Sequence, residues 1–269
     1  MLAASTAVSL GLLASSSPEA SSIDEVIRKL EDIVAYSILH SEREGYFAAL
    51  YLRVTKVVKQ KISEGYFDDN PRMERLDVVF ANRYITAYEQ YKKKQPCSAS
   101  WQLAFDTCRK WQPLVLQHLF LGMNAHIGLD LGIAAATVCP GNSIQSLHDD
   151  FNKINTILAS LVGTVRDELT QMWPLLKIVN WLAGKLEEEI ANFSMEIARD
   201  AAWKEALAYA AISNPGQQQA FIALRDGKVA AFGSKIASPG IILSLVISVL
   251  RMFEKGSVKR KVEILNQSN

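Results

Sequence analysis

The sequence has few cysteines, and none of them has the spacing of a metal site. Cys97, Cys108 and Cys139 are the three cysteines among 269 residues, and no two form a CxxC motif. A sparse, odd set is typical of a reducing compartment, where a free cysteine acts as a small core residue. The cysteines therefore favour the cytoplasm. A Cys97–Cys108 disulfide stays open as an alternative for an exported protein.

The chain also lacks an excess of charge of either sign. It has 29 Lys and Arg residues against 28 Asp and Glu residues, which gives a formal net charge of +1. Proteins that bind nucleic acid usually carry a basic excess or a basic stripe, because phosphate contacts supply most of their affinity. The balance predicts no nucleic-acid partner.

Several common functional motifs are missing. No run of eighteen uninterrupted apolar residues occurs, and the longest run, 241–250, is too short to span a membrane. The chain has no glycine-rich phosphate loop and no GxSxG nucleophile elbow. The sequence therefore predicts no membrane span, and it favours neither a P-loop nucleotidase nor an α/β-hydrolase.

The N-terminal stretch "MLAASTAVSLGLLASSSPEA" has the small and apolar residues of an export signal. It lacks the Lys or Arg residues that begin such a signal. A flexible leader and a cleaved signal both stay open, so export remains an alternative to the cytoplasm. We treat residues 1–20 as this leader, 21–253 as a helical domain and 254–269 as a basic polar tail.

What is present is the pattern of a helical protein. Hydrophobic residues make up 49% and charged residues 21% of the chain, which is enough for a substantial core. Apolar residues recur at spacings of three and four, most regularly over 147–169, and no strict alternation predicts a strand. The sequence predicts an all-α fold, a single multi-helix bundle around a buried central helix at about 113–138. The other main helices are predicted at about 23–38, 44–63, 70–94, 143–170, 174–198 and 239–253, with shorter helices up to Asp226 and a loop after it.

The central helix carries polar residues that its apolar composition does not explain. An advance of about 100° per residue separates two opposed polar sets in "LQHLFLGMNAHIGLDLGIAAA". One set contains His118, His126 and Asp130 with Gly122 on the same stripe, and the other contains Gln117 and Asn124. Since apolar residues fill the rest of the circumference, both sets should be buried and need partners. The sequence therefore predicts a hydrogen-bond network, a metal site or a ligand pocket.

His126 and Asp130 are the strongest candidates for a cation site, because residues at i and i+4 of a helix can converge on one ion. A simple His–Asp hydrogen bond explains the pair equally well. Gly122 predicts the close approach of another helix or of a substrate. Two further carboxylates, Asp77 and Asp150, fall on apolar faces of their helices, and for Asp77 a salt bridge to Arg83 or Arg75 is the alternative.

Three functional hypotheses follow, and the sequence leaves open whether the protein is an enzyme. The first is a metal-dependent hydrolase of an ester or phosphoester, with Zn, Fe or Mn lowering the pKa of a bound water. The second is a metal-free helical protein that binds an apolar small molecule or lipid, with isomerisation or cyclisation as its reaction. The third is a structural protein with a buried polar network. In the first hypothesis His126, Asp130, Asp77 and Asp150 bind the metal, His118 is the acid or base, Arg83 binds an anionic group, and Gln117, Asn124, Gly122, Tyr84 and Asn155 line the pocket.

Several segments resemble one known family. "YLRVT", "MERLDVVFANRY", "LQHLFLGMNAHIGLDLGIA" and "DFNKIN" together resemble the largely bacterial domain-of-unknown-function family 5995, over roughly residues 45–169. That resemblance implies no activity.

A shorter segment, "LGMNAHIGLD", is similar to the LGxxxHxxxD helix of the zinc-dependent phospholipase C and single-strand nuclease superfamily. That superfamily is also all-helical, and the resemblance implies that His126 and Asp130 bind zinc. The chain lacks the mature N-terminal Trp ligand and the later HxxxE helix, so we expect one or two ions rather than three.

The C-terminal stretch "GIILSLVISVLRMFEKGSVKRK" joins an apolar helix to a basic segment. Peripheral contact with an anionic membrane is one interpretation. A core helix followed by a solvated basic tail is the other.

Overall fold

The computed structural model describes residues 18–172 and 195–267, and these residues confirm the all-α prediction. Within them the secondary structure is helical, without a strand. The α-helices are α1 (Ile23–His40), α2 (Gly45–Ser63), α3 (Asn70–Lys92), α4 (Ala99–Cys108), α5 (Val115–Ala125), α6 (Gly132–Val138), α7 (His148–Met172), α8 (Met195–Ala210), α9 (Pro215–Ala237), α10 (Ile241–Met252) and α11 (Val258–Leu265). Most of the helix predicted over 174–198 lies outside the described residues, and its last four residues belong to α8.

The helix starts follow local capping signals. Ser22, with Glu25 three residues later, has the sequence pattern of a helix cap, and its hydroxyl accepts the Glu25 amide at 3.3 Å. The sequence Asn70–Pro71 predicts Asn70 as the cap of α3, which is wrong by one residue, because the Asp69 carboxylate accepts the Arg72 amide at 2.9 Å. Asn70 is the first residue of the helix.

The central helix runs without a break from α5 to α6, and the α2, α3, α4, α8 and α9 helices surround it. A π-helix over His126–Leu131 joins α5 to α6. By length and composition alone, Val115–Val138 could cross a membrane, but 83% of its apolar window is buried inside the protein. The sequence prediction of no span differs because it required an uninterrupted apolar run. The pair α9 and α10 passes the same test together and is bent by 61°.

The predicted loop after Asp226 is wrong, because α9 continues without interruption from Pro215 to Ala237. Two glycines in this stretch, Gly227 and Gly233, lower the intrinsic helix propensity. Packing against α4 and α5 outweighs that loss. Asp226 also fixes the start of α4, since its carboxylate oxygens accept the amides of Ala99 at 2.6 Å and Ser100 at 2.9 Å.

The C-terminal residues differ from the solvated basic tail that the sequence predicts. They form α11, which packs against α1 and α2 and buries Val262 and Leu265 completely. Lys261 is also buried, and its ammonium donates to Glu254 at 2.7 Å. The preceding α10 differs from a core helix, because much of its apolar surface is exposed.

Candidate functional site

The first polar set of the central helix is buried, as predicted, and it coincides with the π-helix. His126 and Asp130 are 3% and 1% exposed. The π-helix begins at His126 and includes Asp130, and such local departures from α-helical bonding often occur at functional sites. Nothing in the residue pattern predicts this π-helix.

Asp130 is the centre of a buried hydrogen-bond network. One carboxylate oxygen accepts from the Arg83 Nε at 2.8 Å, and the other accepts from the Trp101 Nε1 at 2.8 Å. The His126 Nδ1 lies 3.4 Å from the second oxygen. Arg83, which the sequence predicts as an anion-binding residue, therefore already has an anionic partner within the protein, and Trp101 is a partner that sequence reasoning missed.

His126 lies in an aromatic box. Its ring stacks on the Phe80 ring with a centroid separation of 3.6 Å. It also makes an edge-to-face contact with the Tyr51 ring, with the centroids 4.4 Å apart. Burial lowers the pKa of His126, while the hydrogen bond to Asp130 raises it. The net pKa is below the usual value, which favours a neutral ring. Within the described part of the chain, the His126 Nε2 has no hydrogen-bond partner.

Asp77 is buried near this box with one oxygen unpartnered among the described residues. Burial, followed by the charge of Glu74, raises the pKa of Asp77 to about 7. Burial, followed by the charge of Asp77, raises the pKa of Tyr51, which also faces His126. Arg83, one of the predicted salt-bridge partners of Asp77, pairs with Asp130 instead.

Gly122 confirms the predicted close approach of another helix. A Cβ atom at this position would lie 2.4 Å from the Phe47 Cγ, so only glycine admits the Phe47 ring of α2. Phe47 in turn contacts Tyr84, which is fully buried, with ring centroids 5.1 Å apart. The Tyr84 hydroxyl has no partner among the described residues. Tyr84 is therefore a buried neighbour of Phe47, and its role as a pocket residue stays a prediction.

The second polar set serves a different purpose. The Gln117 Nε2 donates to the carbonyl of Ile236 at 2.8 Å, and the Asn124 Nδ2 donates to the carbonyl of Val229 at 2.9 Å. Both carbonyls belong to α9. These two side chains therefore attach α9 to the central helix, and their role as pocket residues stays a prediction.

Asp150 is buried in a separate region of the protein. Its oxygens accept the amides of Asp68 at 2.7 Å and Asp69 at 3.0 Å, and the Arg72 Nη2 donates to it at 2.9 Å. Burial alone would raise the pKa of Asp150, but these bonds hold it below the usual value. The carboxylate thereby fixes the turn that precedes α3.

The predicted metal ligands do not form one cluster. Asp150 lies with the turn before α3, and Asn155, predicted as a pocket residue, accepts the Arg199 Nε at 2.6 Å. Residues 18–172 and 195–267 contain no group of three or more His, Cys, Asp or Glu side chains that could hold a metal ion. Metal binding at His126 and Asp130 stays a prediction.

His118 has a thiol neighbour that sequence reasoning missed. Its Nδ1 lies 3.7 Å from the Cys108 Sγ. Burial, followed by the charge of Arg43, lowers the pKa of His118 to about 3, and burial raises the pKa of the Cys108 thiol. The two groups therefore form a neutral pair, and the His118 Nε2 has no partner within the described part. The turn at Pro113 brings these side chains together, which helical spacing alone does not predict.

An open groove reaches this pair from the surface. It has a volume of about 750 Å³, and its walls include Arg43, Glu44, Lys94, Cys108 and Arg109. Next to it lies a small, partly open cavity of about 10 Å³, room for one water molecule. Arg43, Glu44 and Cys108 line both spaces, so the cavity is the inner end of the groove. The cavity wall also includes His118, Tyr84, Gly122, Phe47, Trp101, Ala104 and Phe105.

The charges around the groove are unevenly compensated. Glu42 accepts two bonds from Lys92, at 2.6 and 2.7 Å. Burial, with a smaller contribution from Glu42, raises the pKa of Glu44. The Arg43 Nη1 donates to the carbonyl of Cys108 at 3.0 Å, and its Nε is buried without a partner in the described structure. Arg43 therefore has unused donor capacity where the groove meets the cavity.

Comparison with known proteins gives a family but no activity. The profile of a family described as "Family of unknown function (DUF5995)" matches residues 23–239. No curated protein and no solved structure matches the chain. The local likeness to the zinc-dependent phospholipase C and nuclease superfamily is not shown by these comparisons. Since the match covers most of the chain, the protein belongs to this family of unknown function.

Proposed function

We propose that the protein binds a small organic molecule with an anionic group and an apolar body, in the groove that ends at Arg43, Glu44 and Cys108. The proposal modifies the metal-free hypothesis drawn from the sequence, which concerns an apolar small molecule or lipid, by adding an anionic group to the ligand. The observation that carries it is the junction of the open groove with the small cavity, which share Arg43, Glu44 and Cys108 as lining residues. Binding sites of this kind are concave, mostly apolar at their inner end, and equipped with a few polar groups that fix orientation.

The anionic group of the ligand is inferred from the charges that remain without a partner. Arg43, Lys94 and Arg109 contribute cations to the groove. Among the acids, Glu42 is paired with Lys92, and the raised pKa of Glu44 favours its neutral form. Asp106 also lines the groove and accepts from the Tyr91 hydroxyl at 3.1 Å and from the Gln102 Nε2 at 3.0 Å, so the three cations outnumber this one exposed carboxylate. An arginine fork with a free donor binds a carboxylate or a phosphate ester more favourably than a neutral group.

The apolar body is inferred from the cavity wall. Phe47, Trp101 and Phe105 are buried aromatic residues on this wall, and Ala104 leaves room beside them. Because the cavity itself holds only one water molecule, the apolar body of the ligand lies in the groove, and only one end of the ligand reaches the cavity. The unpartnered His118 Nε2 lies on the cavity wall, and as the acceptor of a neutral ring it would accept a hydrogen bond from that end of the ligand.

Titration calorimetry with octanoate and octyl phosphate tests this proposal, with octanol as the uncharged probe. We expect the two anions to bind, and Arg43→Gln to weaken their binding by about tenfold, the effect of losing one charge-assisted bond. Arg28→Gln is the matched control, because Arg28 is exposed on α1. Mass spectrometry of freshly purified protein should also show a bound amphipathic compound.

Equal affinity for octanol and the anions, or equal weakening by both variants, would contradict the inference of an anionic group. Absence of binding by all three probes, together with no bound compound in the purified protein, would overturn the proposal.

A metal-dependent hydrolase is the second candidate. It is favoured by the unpartnered His126 Nε2 and Asp77 Oδ2, two potential ligand atoms whose side chains both interact with Tyr51. Elemental analysis for Zn, Fe and Mn in protein purified without chelators tests it. Stoichiometric metal that is lost in His126→Ala supports this candidate. The metal-free candidate predicts ligand binding that is unchanged after dialysis against a chelator.

A further inference from the structure

The outward side of α10 is an apolar surface of unusual exposure. Ile241 and Ile242 are 84% and 82% exposed, and Leu245 is 65% exposed. Val249 and Met252 continue the same stripe. At 3.6 residues per turn, the exposed apolar side chains of α10 fall within an arc of about 140°. A single exposed leucine is ordinary, whereas a continuous exposed stripe marks a contact surface.

The opposite side of α10 is attached to the protein. Ile247 and Leu250 are buried. The Arg251 Nε donates to the carbonyl of Trp111 at 3.0 Å, and its guanidinium lies 5.7 Å from the centroid of the Trp111 ring. Trp111, which is 53% exposed, is therefore held beside the C-terminal end of α10. We call the outward side of α10 together with Trp111 the α10 surface.

Cations surround this surface. Lys255, Lys259 and Arg260 follow α10 and are exposed, as are Arg109 and Lys110 before Trp111. In residues 107–112 and 239–265 the acidic residues are Glu254 and Glu263. The Glu254 carboxylate is buried and accepts from Arg251 at 2.5 Å and from Lys261 at 2.7 Å. The partly exposed Glu263 lies 3.9 Å from the Lys259 Nζ and 3.7 Å from the Arg260 Nη1. The five exposed cations outnumber this one acid, so the charge beside the α10 surface is net positive.

We infer that the α10 surface binds an anionic membrane, with α10 lying parallel to the bilayer plane. An interfacial helix inserts its apolar side to the depth of the headgroups, and neighbouring Lys and Arg residues contact anionic lipids. Trp111 has the exposed ring and the position that aromatic residues take at this interface. A second copy fits less well, because a twofold contact would bring two sets of the same cations together.

Vesicle flotation with the full chain tests this inference. We expect binding to vesicles of phosphatidylcholine and phosphatidylserine at 3:1, and much weaker binding to pure phosphatidylcholine. Leu245→Asp should lower the partition coefficient at least about tenfold, because an inserted leucine is lost and a charge must be desolvated. Leu224→Asp is the matched control, since Leu224 is 63% exposed on α9.

A charge variant tests the second half of the inference. Lys255→Gln, Lys259→Gln and Arg260→Gln combined should lower binding to the anionic vesicles by about 100-fold, from roughly 1 kcal/mol for each cation. Arg28→Gln, Lys56→Gln and Lys59→Gln combined, on α1 and α2, should change it little. Circular dichroism confirms that each variant is folded, and Ile241→Asp replaces Leu245→Asp if the latter is not.

Two outcomes would overturn the inference. One is equal binding of wild type and Leu245→Asp to the anionic vesicles. The other is a dimer in sedimentation velocity without lipid that Leu245→Asp dissociates, combined with no vesicle binding, which would assign the surface to a second copy. Arg43→Gln should bind vesicles as wild type does, so failure of groove binding and failure of membrane binding are distinguishable.

Discussion

The polar residues on the two sides of the central helix are similarly buried, but they differ in how many of their polar atoms have a hydrogen-bond partner. On the side of α9, the amides of Gln117 and Asn124 each donate to a backbone carbonyl. On the side of α2 and α3, His118 and His126 each leave one ring nitrogen without a partner in the described structure. The polar residues on the α9 side therefore attach one helix to another, and those on the α2–α3 side still have atoms that could bind a ligand.

That difference indicates where to look for function in this family. A buried polar atom without a partner costs about 1–3 kcal/mol. Several such atoms, including the Tyr51 and Tyr84 hydroxyls, lie on the same side of the central helix. An arrangement that lowers stability in this way is typical of a binding or catalytic site, where the missing partner is a ligand or a water. Substitutions of the polar residues on each side of the central helix test this interpretation.

The largest effect is expected at Asp130, the one fully paired acid on the α2–α3 side. Asp130→Ala removes the acceptor of both the Arg83 Nε and the Trp101 Nε1. Because it strands a partly buried guanidinium, we expect a loss of about 3–5 kcal/mol in the free energy of unfolding. Urea denaturation followed by circular dichroism measures it.

Asp149→Ala is the control for Asp130→Ala, since the Asp149 side chain is 86% exposed. It should change stability by no more than about 0.5 kcal/mol. If Asp130→Ala does not fold, Asp130→Asn, which keeps one oxygen acceptor, should fold with an intermediate loss. Equal stability of Asp130→Ala and the control would show that the network does not hold the α2–α3 side.

The next largest effect concerns pH and compares Asp77 with Asp150. Burial raises the pKa of Asp77 to about 7, above the value of about 4 in an unfolded chain. Its neutral form therefore contributes stability that is complete below pH 4 and is lost as the pH rises through 7. Relative to Asp77→Asn, wild type should lose about 4 kcal/mol between pH 4 and pH 8, measured by denaturant titration at each pH.

Asp150 should behave in the opposite way, because its pKa is lowered in the folded protein. Its contribution is present above the unfolded pKa and is lost as the pH falls through the folded value. Asp150→Asn should therefore be destabilising at neutral pH and less so in acid. If the stability of Asp77→Asn and that of wild type depend on pH in the same way, the pKa of Asp77 is not raised in the folded protein.

The sequence was sufficient for the fold class and for the burial of the central polar residues. Helical spacing predicts both, because a helix that is apolar around its circumference has to be enclosed by others. The loop expected after Asp226 failed for a physical reason. Gly227 and Gly233 weaken a helix only by local propensity, and the contact of α9 with α4 and α5 is a tertiary effect that no local pattern contains.

The partners of the polar residues were largely beyond sequence reasoning. Asp77 and Asp130 both lie on apolar helix faces, yet Arg83 pairs only with Asp130. Cys108 meets His118 because of the turn at Pro113. Asp150 is as buried as predicted, but its partners are backbone amides of a turn. Periodicity predicts which side of a helix is buried, and it does not predict which side chains meet there.

An effect of intermediate size on stability distinguishes the α9 side of the central helix from the α2–α3 side. Gln117→Leu strands the carbonyl of Ile236 and the amide of Leu114, which donates to the Gln117 Oε1 at 3.1 Å. We expect a loss of about 1–3 kcal/mol in the free energy of unfolding. His118→Leu removes the unpartnered Nε2 together with the Nδ1 contact to the Cys108 Sγ, at 3.7 Å, and the contact of the ring to the Pro113 backbone, so its cost should be smaller than that of Gln117→Leu.

Chemical denaturation of both variants measures the difference in their free energies of unfolding. Calorimetry with octanoate measures how each substitution changes ligand affinity. His118→Leu should weaken binding at the groove, whereas Gln117→Leu should leave it unchanged. If Gln117→Leu costs no more stability than His118→Leu does, the distinction between a satisfied and an unsatisfied side is wrong.

The smallest expected effect tests how tightly α9 is joined to the central helix. A Cβ atom at Gly233 would lie 3.0 Å from the Asn124 Nδ2, whereas a Cβ atom at Gly227 would have no neighbour within 4 Å. Gly227→Ala should therefore stabilise the protein by about 0.5–1 kcal/mol through helix propensity alone. Gly233→Ala should lose this gain, because the Asn124 amide cannot move away without weakening its 2.9 Å bond to Val229. Thermal unfolding of the two variants measures the difference, and an equal gain in both would mean that the joint is looser than these distances indicate.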